Sequence, residues 1–115
     1  MSDTFTLGIQ LIVSIALAFV VISVTARAAT GRLVRNQTAG IRIPSTMASE
    51  KAWRAGHRAA LPVMWLLAPV AAAADIAALS GVATMLTMWL WVAATVAVII
   101  IAGVVAGRAA RRVSE

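Results

Sequence analysis

No cysteine and no tyrosine occurs among the 115 residues, histidine occurs once, and Asp and Glu together number four. Without cysteine there are no disulfides and no thiolate metal sites. One histidine and four scattered acids give no metal-ligand spacing and no nucleophile–base pair. The seven glycines include no phosphate-binding loop. These absences argue against an enzyme and against a cofactor or bound metal. Charge is scarce too, at 12% of residues, where a soluble domain carries about 25%.

What is present is mostly apolar, 62% of the chain, so the expected solvent is a bilayer. The expected fold is all-α: a single integral membrane domain over residues 1–115, with three transmembrane helices. The first span covers about 5–26, and such a helix reaches about 33 Å against a hydrocarbon core of about 30 Å. Asp3 and the lack of Lys or Arg before it, with a run too long for a signal-peptide core, point to a retained helix. Gln10 and Ser14 share a face of this span and could bond to a neighbouring helix. The second span is about 61–79. Pro62 falls in its first turn, where a missing N–H costs little, while Pro69 removes the usual donor to the Trp65 carbonyl and predicts a kink. Ala71 to Ala74 would let another backbone come close. Asp75 is the one carboxylate in or near the apolar region, a functional candidate by default, although it lies close enough to the span's end to reach water. Ser80-Gly81 makes a tight turn into the third span, about 82–106, near whose end Gly103 and Gly107 form a small-xxx-small pair.

The ten basic residues sit in two places only. Arg27, Arg32, Arg35, Arg42, Lys51, Arg54 and Arg58 lie between the first and second spans, and Arg108, Arg111 and Arg112 follow the third. A formal charge of +6 would suggest nucleic acid in a soluble protein. Here membrane topology accounts for it: the loop and C-terminus are cytoplasmic, the N-terminus is outside, and the cations meet anionic headgroups. No nucleic-acid partner is expected. The location this implies is a membrane that the chain crosses several times.

The loop, 27–58, is more patterned than a connector needs to be. Gly40 suits a position of positive φ. Pro44 holds Ile43 extended and excludes a helix across that pair. Ser45, Thr46 or Ser49 could cap a following short helix, with Glu50 near its positive end. Asn36 and Arg42 read as structural residues, the guanidinium needing carbonyl or carboxylate partners. Trp53 and His57, four apart, share a helical face and are the candidates for contact with another protein or a bound peptide. The bland alternative makes Trp53 an interfacial anchor and leaves His57 bonded to loop backbone or a headgroup.

The order Asn36, Gly40-Ile41-Arg42, Pro44, Thr46, Ser49, Trp53, His57 resembles the signature loop of the SdpI-like immunity protein family. Ile43 stands where a hydroxyl residue is common in that family, and Ser45 where an aromatic is common. The resemblance implies a small protein of a bacterial plasma membrane, one that binds, or responds to, a secreted peptide toxin. Two other functions fit the residues: a small accessory subunit of a larger membrane complex, suited by the Ala- and Gly-rich faces, and a holin-like pore former.

The topology has a direct check. Single cysteines at Thr4, Gly31, Ser80 and Ser114, probed with an impermeant thiol reagent in intact cells, should label at Thr4 and Ser80 only. Labelling at Gly31 before permeabilisation would overturn the orientation.

Overall fold

A long apolar run in hydrocarbon satisfies its backbone by coiling into a helix, and the chain does so three times. In the computed structural model, which describes residues 2–114, four α-helices follow one another: α1 (Ser2–Ala29), α2 (Glu50–Met64), α3 (Leu67–Leu79) and α4 (Thr84–Ser114). A short 3-10 helix, Thr46–Ala48, precedes α2. There is no strand among the described residues. The side chains of Asp3 and Ser114 lie outside the described residues. Three stretches are long and apolar enough to cross a membrane: Thr4–Ala29, Glu50–Leu79 and Thr84–Val113. Large apolar side chains such as Phe5, Phe19, Trp89 and Ile100 point outward, where lipid rather than water would meet them.

The middle span differs from the sequence reading. Helix α2 starts at Glu50, so the short helix after the loop continues into the membrane, and Pro62 lies in its last turn rather than in a first one. The break comes at Trp65 and Leu66, just ahead of Pro69. The ring of Pro69 cannot accept a normal α-turn behind it, and the chain tightens there. Leu66 N–H donates to Val63 O at 3.0 Å and Ala68 N–H to Trp65 O at 3.1 Å, both three-residue bonds. The Trp65 carbonyl therefore has a donor and is not the free acceptor that Pro69 alone would suggest. A second turn joins α3 to α4, with Gly81 at φ +102° and Val82 N–H closing onto Ala77 O at 3.0 Å.

The tightest packing is between α2 and α4. Ala52, Gly56 and Ala60 repeat every four residues on α2, as do Ala102, Ala106 and Ala110 on α4, and all six are buried. Such stripes let backbones approach, which in lipid is where helix association finds its van der Waals energy. A Cβ on Gly56 would lie 3.1 Å from the Ala106 carbonyl oxygen and 2.8 Å from Thr46 Cγ2. Met64, Leu67, Ala18, Ile22 and Val98 extend this core along the bundle. Gly103 and Gly107 do not act as a pair: a Cβ at Gly103 meets nothing within 4 Å, whereas one at Gly107 meets Ile43 Cδ1 at 3.3 Å. Similarly, only Ala71 of the Ala71–Ala74 run is fully buried.

These contacts set opposite expectations for two glycines. Gly56→Val should destabilise by about 1–3 kcal/mol, since neither the carbonyl nor the bonded Thr46 can retreat cheaply. Gly103→Ala should be neutral or stabilising by up to about 1 kcal/mol, through helix propensity alone. Thermal unfolding in one detergent compares them directly, and equal loss in both would show that α2 and α4 do not meet at Gly56.

Candidate functional site

Two groups of polar residues stand out, one at the basic end of the bundle and one inside its opposite half. The first is the loop, which is folded by its own side chains. Asn36 uses its whole amide: Oδ1 accepts from the Thr38 and Ala39 N–H groups at 2.8 Å each, and Nδ2 donates to Val34 O at 2.8 Å and Ala39 O at 3.2 Å. This Asx turn delivers the chain to Gly40, whose φ is +109°. Arg42 is exposed and clips the turn from outside, Nε donating to Asn36 O at 3.1 Å and a terminal nitrogen to Gln37 Oε1 at 3.2 Å. Thr46 is fully buried; its hydroxyl donates to Ile41 O at 2.6 Å and accepts from Ile43 N–H at 3.2 Å, which ties it back to the chain just ahead of Pro44.

Of the three hydroxyl residues able to cap the next helix, Ser49 does so, accepting from Ala52 N–H at 3.0 Å. Thr46 is committed to the turn, and Ser45 makes no capping bond. Glu50, in the first turn of α2, accepts the Arg35 N–H at 3.0 Å and lies 3.8 Å from its Nε. That ion pair is exposed and contributes on the order of 0–1 kcal/mol.

Trp53 and His57 hold the centre. Both are 0% exposed, so neither ring offers a face to a partner in this conformation. That corrects the expectation of an open contact surface: the helical face they share meets the loop itself. Trp53 Nε1 donates to Leu33 O at 2.8 Å. His57 Nε2 accepts from Ile41 N–H at 2.8 Å, and Nδ1, 2.7 Å from Trp53 O, donates to that carbonyl. The imidazole is thus the Nδ1–H tautomer, because a backbone N–H can only be met by a lone pair. The two rings lie 4.2 Å apart between centroids. Gly40 rests on them. A Cβ there would be 2.5 Å from Trp53 Cη2 and 3.0 Å from His57 Nε2.

The second group lies in the half of the bundle away from the basic end. Asp75, on α3, is only 7% exposed, which corrects the reading that it simply reaches water. Ser14 Oγ on α1 donates to Oδ2 at 2.7 Å, and Gln10 Nε2 approaches Oδ1 at 3.5 Å. Gln10 Oε1 in turn accepts from Thr87 Oγ1 on α4 at 3.1 Å, so the cluster ties three helices together. Sequence reasoning paired Gln10 with Ser14 and singled out Asp75, but missed Thr87. Its only signal was a hydroxyl at helical spacing from Thr84 in an otherwise apolar run.

No group of three or more His, Asp or Glu side chains able to hold a metal occurs among the described residues. What the geometry defines is a three-span helical membrane protein whose first interhelical loop is folded down onto the helix ends. The family model for the SdpI/YfhL protein family matches residues 32–107, from the loop through most of α4, and the chain belongs to that family. No curated protein and no solved structure matches it.

Three variants test the central stack. Gly40→Val combines a positive-φ strain of about 1–3 kcal/mol with a collision against Trp53. His57→Ala orphans the Ile41 N–H and Trp53→Phe the Leu33 carbonyl, each costing about 1–3 kcal/mol. All three should lower the thermal midpoint and cellular accumulation. Wild-type midpoints for all three would show that the loop does not depend on the stack.

Proposed function

We propose that this chain is a non-enzymatic SdpI-like protein of a bacterial plasma membrane, one that confers immunity to a peptide toxin or relays the toxin's presence inward by binding it. The family match over residues 32–107 carries this reading, because it takes in the loop from Arg32 onward and most of the two spans that follow. The distribution of basic residues supports an N-terminus outside and a C-terminus in the cytoplasm, with anionic headgroups against the loop and tail. The buried stack argues for a scaffolding role at Trp53 and His57. Binding then falls to the grooves between helices, which open sideways into the bilayer and suit a ligand that arrives through it.

A second reading, an accessory subunit of a larger membrane complex, draws on the exposed Ala72 and Ala73 of α3 and the open side of Gly103. Small residues left uncovered are what a neighbouring helix would pack on.

Expression in a bacterium killed by a secreted membrane-active peptide should raise survival, and the Gly40→Val variant should not. Unchanged sensitivity, together with stoichiometric recovery of the protein in a large complex in mild detergent, would favour the accessory reading instead.

A further inference from the structure

The groove between α1 and α3 has one charged group on an otherwise almost wholly apolar surface. Its volume is about 690 Å³, and it follows α1 from Leu11 to Ala26, which is about 22 Å of helix. Trp65 stands at one side, and Ala68, Ala71 and Ala72 leave α3 low enough for another helix to lie close. Asp75 lines the same groove. Its neighbours satisfy it only in part. A carboxylate has about four lone-pair sites, whereas Ser14 supplies one short bond and Gln10 one long contact at 3.5 Å.

No lysine or arginine among the described residues completes it. All ten Lys and Arg residues lie in 27–58 or after Gly107, at the other end of the bundle, and the one ion pair among the described residues is Arg35–Glu50. A membrane-embedded carboxylate without a counter-charge is expensive, and such groups pair with cations or mark ligand paths. Asp75 also lies near the end of α3, four residues before Leu79, so a segment entering from the turn end of the bundle meets it early.

We propose that the α1–α3 groove is a binding site for an apolar, membrane-inserted peptide helix carrying one cationic side chain, which pairs with Asp75. This rests on the peptide-binding reading above and specifies the chemistry of its ligand. The groove supplies shape and van der Waals contact, and the carboxylate supplies selection: a purely apolar helix or a lipid chain fills the volume without meeting the charge. Ser14 and Gln10 are positioning residues that hold the carboxylate against the groove.

The probe is a synthetic Leu/Ala helix of about 20 residues with a single Lys about one turn from its end, carrying a fluorescence acceptor, alongside its Lys→Met counterpart. Binding is read by quenching of protein tryptophan fluorescence, with the full chain in phosphatidylcholine nanodiscs. The wild type should prefer the Lys peptide by about tenfold or more. Asp75→Asn should remove the preference, and Ser14→Ala, which keeps the carboxyl but loses its one short bond, should lower the preference without abolishing it. Equal binding of the two peptides to the wild type overturns the proposal and is what lipid filling of the groove would give. That comparison decides even where Asp75→Asn fails to fold. A preference that survives Asp75→Asn in folded protein also overturns it, as does a dimer that cross-links through the groove and excludes both peptides. Toxin protection is scored separately. Full protection by Asp75→Asn would remove this site and leave the immunity reading standing, while a Lys preference without protection would keep the site and remove that reading.

Discussion

The bond from the Ile41 amide to His57 Nε2 is where the loop and the membrane helices become one structure. A loop beside a bilayer has few ways to bury its backbone, since each amide taken from water needs a partner. Here the partner is a ring rooted in a helix, and the ring's second nitrogen is spent on that helix's own carbonyl, which fixes its orientation. Trp53 repeats the arrangement with the Leu33 carbonyl. Two side chains on one helical face thus hold points twenty and sixteen residues upstream, and Gly40 is the position where the chain passes close enough to both rings to make this possible. The Asx turn at Asn36 and the Thr46 hydroxyl on Ile41 and Ile43 adjust the approach on either side.

Within the membrane the same bookkeeping is done differently. The α2–α4 seam contains no large side chain along its two stripes, and its strength comes from backbone proximity. The Asp75 cluster sits away from that seam and spans α1, α3 and α4 through hydrogen bonds that are individually modest in lipid, about 0.6 kcal/mol on average. One end of the bundle is therefore held by shape and a folded loop, and the other by a few polar contacts beside an open groove. The less tightly built half is the one away from the basic loop and tail.

Much of the helical architecture could be read from apolar run lengths, because hydrocarbon leaves a long run little else to be. The turn at Gly81 and the capping role of a hydroxyl near Glu50 were likewise legible, though the choice of Ser49 over Ser45 and Thr46 depended on where Thr46 was already committed. Periodicity put Trp53 and His57 on a common face without revealing what that face meets, and rings next to a basic surface loop looked available when they are buried under it. Pro62 was misplaced for a related reason: composition changes at the membrane boundary, but the helix does not stop there. Asp75 looked near enough to its helix end to reach water, since its partner Ser14 on α1 is 61 residues away in sequence and adjacent only in space. The small-residue stripes on α2 and α4 were present in the sequence, yet Gly103 and Gly107 drew attention instead because a glycine pair is easier to see than a ladder of alanines.

The loop's floor has a bearing on how the chain comes to be assembled. Gly56 lies against Thr46 and Ala106, and Ile43 and Ser45 lie against Gly107, so the loop rests on residues synthesised well after it. While the nascent chain is being threaded into the bilayer, α1 and α2 can be in place with the loop still lacking the surface beneath it. Closure waits for the C-terminal end of α4. The loop therefore matures after α4 although it is synthesised before it, and its closure reports that α4 is in place.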